Sequence, residues 1–264
     1  ICGKRAAAVN LPGSYRAWLS TPTTSALSRL GPASGWIRTD GKPLVDTTAD
    51  LAAGRMYHPL RFHERVGDVG AIEVHTATTA NGTFNIGGTS CSDYTSAASA
   101  SFRGGSSDGV SSVFTTWFSG NCSETARLYC FGVDRAATVR PVPPASYRRA
   151  FVSATAWTPG GGIAAADTHC QTEAAAAGLP GTYRALLASI NTATGAGLTA
   201  ASRFSTSGPP WGRPDGVLLA PTATELFSNQ GFWDSALTVT AAGAPQSGNL
   251  AVWGGAATLT TAGT

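Results

Sequence analysis

The pentapeptide Gly105-Ser-Ser-Asp-Gly109 matches G-x-S-x-G, a pattern that presents a serine nucleophile in many hydrolases. The pattern works only on a sharp turn between a strand and a helix, where the hydroxyl of the central serine, here Ser107, is exposed. The surrounding residues are mostly Gly, Ser and Asp, a composition typical of loops. A secreted hydrolase is therefore only a second alternative, and we predict no catalytic residue.

Imidazole and carboxylate side chains that bind zinc occur at four positions, His58, His63, Glu64 and His75. Part of the chain is duplicated, as described below, and the second copy has no histidine at the positions that match the three in the first. Unrelated surface histidines explain this pattern better than a metal centre. We predict no metal site and no cofactor.

Cysteine usage indicates an oxidising compartment. Four of the five cysteines, Cys2, Cys91, Cys122 and Cys130, lie in the first half of the chain, and an even number suits a disulfide framework. Zinc binding by cysteine is the alternative, but the sequence contains no C-x-x-C pair. We predict an extracellular or cell-surface location, with Cys170 unpaired or bonded to another chain.

Tryptophans are candidates for a carbohydrate site, because their flat apolar faces stack on sugar rings. The candidates for ligand stacking are Trp36, Trp211 and Trp253, and Trp117 and Trp233 are further candidates. The alternative is that these side chains belong to the hydrophobic core.

The elements that position these residues follow from an internal repeat. Residues 2–20 recur at 170–189, each with a cysteine nine positions before Leu-Pro-Gly and with Tyr-Arg-Ala soon after. The alanine-rich part predicts a helix in each copy. Asp167 or Thr168 is expected to cap the start of the second helix, and Asn10 and Gly178 are expected to end the first and the second helix. The alternation after Leu-Pro-Gly predicts a strand.

The repeat predicts two domains, 1–133 and 148–264, joined by a proline-rich and arginine-rich linker at 134–147. Segment 149–157 predicts an opening strand that the first domain lacks, and the second domain is expected to be incomplete at its C-terminus. Val74-His75 and Val252-Trp253 predict a later strand in each domain. The linker is expected to be extended and solvated, with polyanion contact by its arginines as the alternative.

Charge and hydropathy exclude two classes of partner. Only 12% of residues are charged and the formal net charge is +3, with the arginines scattered, so a nucleic-acid groove is not indicated. The sequence has no run of eighteen apolar residues, which predicts no membrane span.

Several motifs together give this chain a family resemblance. They are the helix with its cysteine, Leu-Pro-Gly-Ser/Thr-Tyr-Arg-Ala, Thr89-Ser-Cys-Ser-Asp-Tyr94 and Asn121-Cys-Ser-Glu-Thr-Ala-Arg-Leu-Tyr-Cys-Phe131. In their order they resemble the endostatin domain of collagen XVIII and its bacterial relatives, which are secreted or surface proteins. The resemblance implies an α+β, C-type-lectin-like fold, in tandem, with Cys2 paired to Cys130 and Cys91 to Cys122. The zinc-binding histidines and heparin-binding arginines of endostatin have no counterpart here.

Three functions are then open. The first is a non-enzymatic structural or adhesive extracellular protein that associates with itself or with neighbouring repeats, as in a surface filament or matrix. The second is a lectin-like module that binds an extracellular glycan or polyanion. The third is the secreted hydrolase.

Overall fold

The structure is a computed structural model, and it describes residues 1–86, 90–98, 100–190, 194–228, 233–246 and 251–263. It contains helices, strands and two disulfides. The helices are α1 (Cys2–Ala7), α2 (Thr48–Ala52), α3 (Cys91–Tyr94), α4 (Ser112–Thr115), α5 (Gly162–Ala176) and α6 (Ala223–Ser228). The strands are β1 (Tyr15–Ala17), β2 (Trp36–Ile37), β3 (Pro43–Val45), β4 (Glu73–His75), β5 (Ser101–Ser106), β6 (Phe118–Asn121), β7 (Cys130–Gly132), β8 (Arg148–Arg149), β9 (Ser189–Ile190), β10 (Gly197–Leu198) and β11 (Trp211–Gly212).

Two compact units divide the chain, one formed by Ile1–Pro141 and the other by Val142–Gln246 with residues 251–263. Among the described helices, none combines the length and the apolar character that a membrane crossing requires.

The first unit is built from antiparallel strands. Strands β4, β5 and β6 form a three-stranded sheet, β2 pairs with β3, and β1 pairs with β7. The ring of Phe131 on β7 is buried and packs against Trp18, Trp36 and Phe114 at centroid distances of 5.7, 5.6 and 6.3 Å. Strand β7 therefore brings the side chain on which the aromatic core of this unit converges.

Two disulfides close the first unit. Cys2 on α1 is bonded to Cys130 on β7, and Cys91 is bonded to Cys122. These are the two pairs that the endostatin resemblance implies.

The second unit contains α5, the longest described helix, and its described strands form two short two-stranded pairings. Strand β8 lies parallel to β11, and β9 is antiparallel to β10. Its core is a cluster that includes Leu219, Leu226 and Phe227.

The predicted helix end is confirmed in both units. Asn10 and Gly178 follow the helices with φ of 58° and 68°, the left-handed conformation that ends a helix at low cost in glycine and asparagine. The predicted caps are wrong, because α5 begins at Gly162 and Asp167 and Thr168 lie inside it. Asp167 instead accepts a hydrogen bond from the backbone N–H of Ala185 at 2.9 Å.

Three predicted strands are absent from the second unit. Residues 183–188 have no ladder, residues 150–157 have none beyond the end of β8, and residues 251–254 have none. The last segment is on the surface, where Val252 is 73% exposed and Trp253 62% exposed. Its first-unit match, Val74-His75, does lie in a strand, β4, as predicted.

The predicted linker is solvated only in part. The backbone N–H of Ser34 donates to the carbonyl of Arg135 at 3.2 Å, and the N–H of Val139 donates to the carboxylate of Asp46 at 2.7 Å. Residues 134–139 therefore belong to the first unit by their hydrogen bonds, and the division between the units falls inside the proline-rich stretch, after Pro141.

Candidate functional site

Ser107 has a structural role. Contrary to the predicted loop, a strand, β5, precedes it and helix α4 follows soon after, as a nucleophile turn requires. Its side chain, however, is buried in a residue that is 1% exposed, and its hydroxyl donates to the carbonyl of Gly70 at 2.5 Å and accepts from the N–H of Ile72 at 2.9 Å. The hydroxyl links two loops and is not presented to a substrate.

Each candidate metal ligand makes contacts with other parts of the first unit. His58 makes a 2.7 Å contact with the carbonyl of Pro43, and Glu64 is ion-paired with Arg5. The ring of His75 lies 3.6 Å from that of Phe102 between centroids, where burial lowers the pKa of its imidazole. Within the described part of the chain, no group of three metal-binding side chains comes together.

His63 completes this set and has a local role. Its Nδ1 accepts a hydrogen bond from the N–H of Arg65 at 3.0 Å, and its backbone N–H donates to the carbonyl of Gly67 at 3.0 Å. Both contacts stabilise the turn in which His63 lies.

The tryptophans predicted to stack on a ligand have different environments. Trp36 is a core residue: it is 8% exposed, its face meets Phe131, and its Nε1 donates to the carbonyl of Gly132 at 2.8 Å, so it cannot stack on a sugar. Trp211 is half-buried beneath the guanidinium of Arg148, 4.5 Å from its ring centroid. Trp253 is exposed on the surface.

The second unit contains a groove of about 380 Å³, beside α5. This volume is near the lower end of the roughly 300–1,000 Å³ that ligand sites occupy. Its apolar lining includes Leu186, Trp211, Leu219 and Phe227, and Cys170 lies on its wall.

Residues 182–187 line one side of this groove. Along the opposite edge of this segment, side chains form hydrogen bonds with its backbone groups. The N–H of Tyr183 donates to the side-chain carbonyl of Gln171 at 2.8 Å. Arg203 donates to the carbonyl of Ala185 and is ion-paired with Asp167 at 2.6 Å. Helix α5 and Arg203 thus hold the segment extended although it belongs to no sheet.

Cys170 is a free thiol in a half-buried position. Burial raises the pKa of this thiol, the carboxylates of Asp167 and Glu173 raise it further, and the guanidinium of Arg203 opposes them. The net effect is a pKa above the ordinary value, so the thiol stays protonated at neutral pH and reacts slowly as a nucleophile.

Sequence reasoning found part of this site. The repeat aligns Cys170 with Cys2, and its later part aligns Trp211-x-Arg-x-Asp-Gly216 with Trp36-x-Arg-x-Asp-Gly41. It does not reveal the groove beside Cys170 and Trp211. Asp167 and Arg203 were also missed as the groups that hold the groove wall. The signal available was the arginine of Ser202-Arg203, which matches Ser28-Arg29, because Arg29 donates to the carbonyl of Ala17 in the same way, at 3.1 Å.

Comparison with known protein families, with curated proteins and with solved structures finds no match to this chain. The resemblance to the endostatin domain therefore stays a prediction from the sequence motifs.

Proposed function

We propose that this chain is a non-enzymatic extracellular structural or adhesive protein, built from two endostatin-like, C-type-lectin-like domains in tandem, that associates with copies of itself or with neighbouring repeats. The two disulfides support an oxidising compartment. The burial of Ser107 and the separation of the histidines give no support to the hydrolase.

Recurring local contacts support the tandem arrangement. Arg38 and Asp40 form an ion pair on one side of an Asp-Gly turn, and Arg213 and Asp215 form the same pair in the second unit. The carbonyl of Arg38 accepts from the N–H of Gly41 at 2.9 Å, and the carbonyl of Arg213 accepts from its matching glycine at the same distance.

The helices that follow these turns also begin alike. The hydroxyl of Thr47 accepts from the N–H of Asp50 at 3.0 Å, and the hydroxyl of Thr222 accepts from the N–H of Glu225 at 3.1 Å. Equivalent caps at equivalent positions are what two copies of one domain would produce.

The observation that carries the proposed association is an asymmetry between the units. In the first unit, segment 14–18 is covered by β7 and Cys2 is bonded to Cys130. In the second unit, the matching segment has no strand beside it among the described residues, and Cys170 is free. Uncovered extended segments recruit strands from other chains, and a thiol beside one provides a covalent lock.

Sedimentation of the native protein, as purified from its source, tests this function. We expect species larger than one chain under non-reducing conditions, and attachment of the protein to cells or matrix of that source. Cys170→Ser should reduce the covalent fraction, and Trp117→Ala, on an exposed side chain of the first unit, serves as the control. A stable monomer that attaches to nothing would contradict the proposal.

Glycan binding is the second candidate, and the exposure of Trp253 favours it. An exposed indole can stack on a sugar ring without displacing any protein contact. A glycan array tests this: binding that is lost in Trp253→Ala and kept in Trp117→Ala would support it, and no binding above background would exclude it.

A further inference from the structure

The groove of the second unit has an edge of unpaired backbone groups. In the first unit, the N–H of Trp18 donates to the carbonyl of Tyr129 at 3.0 Å, and the carbonyl of Ser14 accepts from the N–H of Val133 at 2.9 Å. Arg16 lies between them, opposite Phe131. Since alternate residues of a strand direct their backbone groups to the same side, residues 14, 16 and 18 all face β7.

The matching positions of the second unit are open. The N–H and carbonyl groups of Arg184 and Leu186, which correspond to Arg16 and Trp18, have no hydrogen-bond partner in the described parts of the chain. The opposite edge of the segment is satisfied by Gln171, Asp167 and Arg203, as described above. Only the edge that would receive a strand is therefore free to form a ladder.

A buried indole nitrogen provides an independent observation. Trp36 Nε1 in the first unit donates to the carbonyl of Gly132 on β7. The corresponding nitrogen, Trp211 Nε1, is buried without a hydrogen-bond partner among the described residues. An unpaired buried donor is costly, about 1–3 kcal/mol, which is why such groups indicate a missing acceptor.

The groove lining and its thiol also correspond to β7. In the first unit, Phe131 packs between Trp18 and Trp36, and Leu186 and Trp211 occupy those two positions in the groove. Cys130, the neighbour of Phe131, is bonded to Cys2, whose match is Cys170. The open backbone edge, the unpaired indole N–H, the apolar lining and the free thiol of the groove each correspond to a contact that β7 makes in the first unit. The segment Tyr129-Cys-Phe-Gly132 makes all four contacts.

We propose that this groove binds an extended segment of the Leu128-Tyr-Cys-Phe-Gly132 type, supplied by a separate polypeptide, as an antiparallel strand beside residues 182–187. The phenylalanine fills the space between Leu186 and Trp211, and the carbonyl after it accepts from Trp211 Nε1. The cysteine lies opposite Ala185 and forms a disulfide with Cys170. This identity of the partner rests on the proposed self-association, and it makes the contact a strand addition.

The covalent step is a thiol–disulfide exchange. The incoming cysteine arrives as a mixed disulfide with a small thiol. Cys170 loses its proton to solvent, its thiolate attacks the sulfur of the incoming cysteine, and the new S–S bond forms as the small thiolate leaves and is protonated. No other oxidant is required.

A synthetic peptide of residues 127–134, with its cysteine as the glutathione mixed disulfide, tests the proposal on the whole chain. We expect mass spectrometry to find one peptide per chain, attached at Cys170. A second peptide with serine in place of cysteine should bind reversibly and shift the ¹H–¹⁵N signal of the Trp211 indole, assigned by its absence in Trp211→Phe. Phe131→Ala in the peptide should weaken this binding at least tenfold, and Trp117→Ala in the protein should leave it unchanged.

Three results would overturn the proposal. The first is adduct formation at the same rate with the phenylalanine-free peptide, because this would mean that the thiol alone reacts. The second is an unchanged Trp211 signal at saturating peptide. The third is attachment of the peptide at a cysteine other than Cys170, since this would place the bound segment outside the groove.

The same experiments separate this proposal from the proposed function. Peptide binding at the groove together with a native protein that stays monomeric and attaches to nothing would leave the groove proposal standing and contradict the function. Assembly of the native protein without peptide binding would support the proposed function and contradict the groove proposal.

Discussion

The tripeptide Tyr-Arg-Ala occurs twice in this chain, and its two copies have different structures. Tyr15–Ala17 is a strand, paired residue by residue with Cys130–Gly132. Residues 183–185 are extended but belong to no ladder, and side chains from α5 and Arg203 hold their backbone. Since the local sequence is the same, the difference comes from the neighbour: a strand forms where a second strand is present to share its hydrogen bonds.

The same difference extends to the cores of the two units. In the first, β7 brings Phe131 among the aromatic side chains and Cys130 to Cys2. In the second, the corresponding space is the groove of about 380 Å³. The comparison therefore predicts that changes to β7 contacts affect the first unit strongly, and that the matching changes in the second unit have small effects until a partner binds.

The largest effect should follow removal of the disulfide between β7 and α1. The double substitution Cys2→Ala and Cys130→Ala opens a bridge between residues 128 positions apart. The chain-entropy relation then lowers the free energy of unfolding of the first unit by about 5 kcal/mol. Urea denaturation followed by hydrogen exchange of peptides from each unit measures this.

The matched control is Cys170→Ala, which removes the corresponding cysteine of the second unit. We expect it to change the stability of either unit by less than about 1 kcal/mol, because no bond is lost. Equal destabilisation by the two sets of variants would contradict the comparison.

How much of this could be predicted depends on how local each feature is. The helix end at Asn10 and Gly178 follows from residues next to it, and it was predicted correctly. Alternation predicts the strand at residues 183–188, but alternation indicates only an extended segment with one buried face and does not supply a partner strand. Whether a strand forms there depends on residues that are distant in the sequence.

The sequence signal around Ser107 failed for a related reason. The composition around Ser107 predicts a loop, but Gly104 and Gly105 lie in β5, the central strand of its sheet. A Cβ at Gly105 would overlap the carbonyl oxygen of Phe114, and one at Gly104 would overlap the ring of Phe118. Glycine is required there by close packing in three dimensions, which the composition of the segment does not reveal.

The groove was missed because its walls come from distant parts of the chain. Leu186, Trp211 and Phe227 are separated by 16 to 41 positions, and no single segment carries a recognisable binding motif. Only the repeat relates them to the first unit, through Cys2 and Trp36.

A second prediction compares the two indoles directly. Trp36→Phe should lower the free energy of unfolding of the first unit by about 1–3 kcal/mol more than Trp211→Phe lowers that of the second. The ring change is the same in both, but only Trp36 donates a hydrogen bond, to Gly132. Denaturant titrations of the two variants, with the transitions assigned by hydrogen exchange, provide the difference. Equal losses would mean that the bond to Gly132 contributes no net stability.

A third prediction concerns acid. The pKa values of Asp40, Asp50, Glu64 and Asp68 in the first unit lie below their ordinary values; burial would raise each, but hydrogen bonds and nearby arginines outweigh it. In the second unit, the pKa of Glu173 is also lowered, because hydrogen bonds from Ala154 and Thr155 outweigh the effect of burial, which would raise it.

A lowered folded-state pKa contributes stability above the ordinary values of 3.8 for aspartate and 4.5 for glutamate, and this stability is lost as the pH falls through the folded-state values. We therefore expect the first unit to lose more stability than the second between about pH 5 and pH 2. Hydrogen exchange at a series of acidic pH values tests this. Asp40→Asn should reduce the pH dependence of the first unit, and a steeper loss in the second unit would refute the assignment.

The smallest effect should be seen in the reactivity of Cys170. Cys2, its match, is oxidised, so alkylation of the native protein should modify one cysteine per chain, and that cysteine should be Cys170. Because burial, Asp167 and Glu173 raise the pKa of its thiol, the alkylation rate should reach half its maximum above pH 9.0, the ordinary value. Glu173→Gln removes one negative charge and should move this midpoint to lower pH, while Trp117→Ala should leave it in place. A midpoint at or below pH 9.0 in the unmodified protein would mean that the thiol is solvated, and that the groove beside it is wetter and more open than the comparison with the first unit requires.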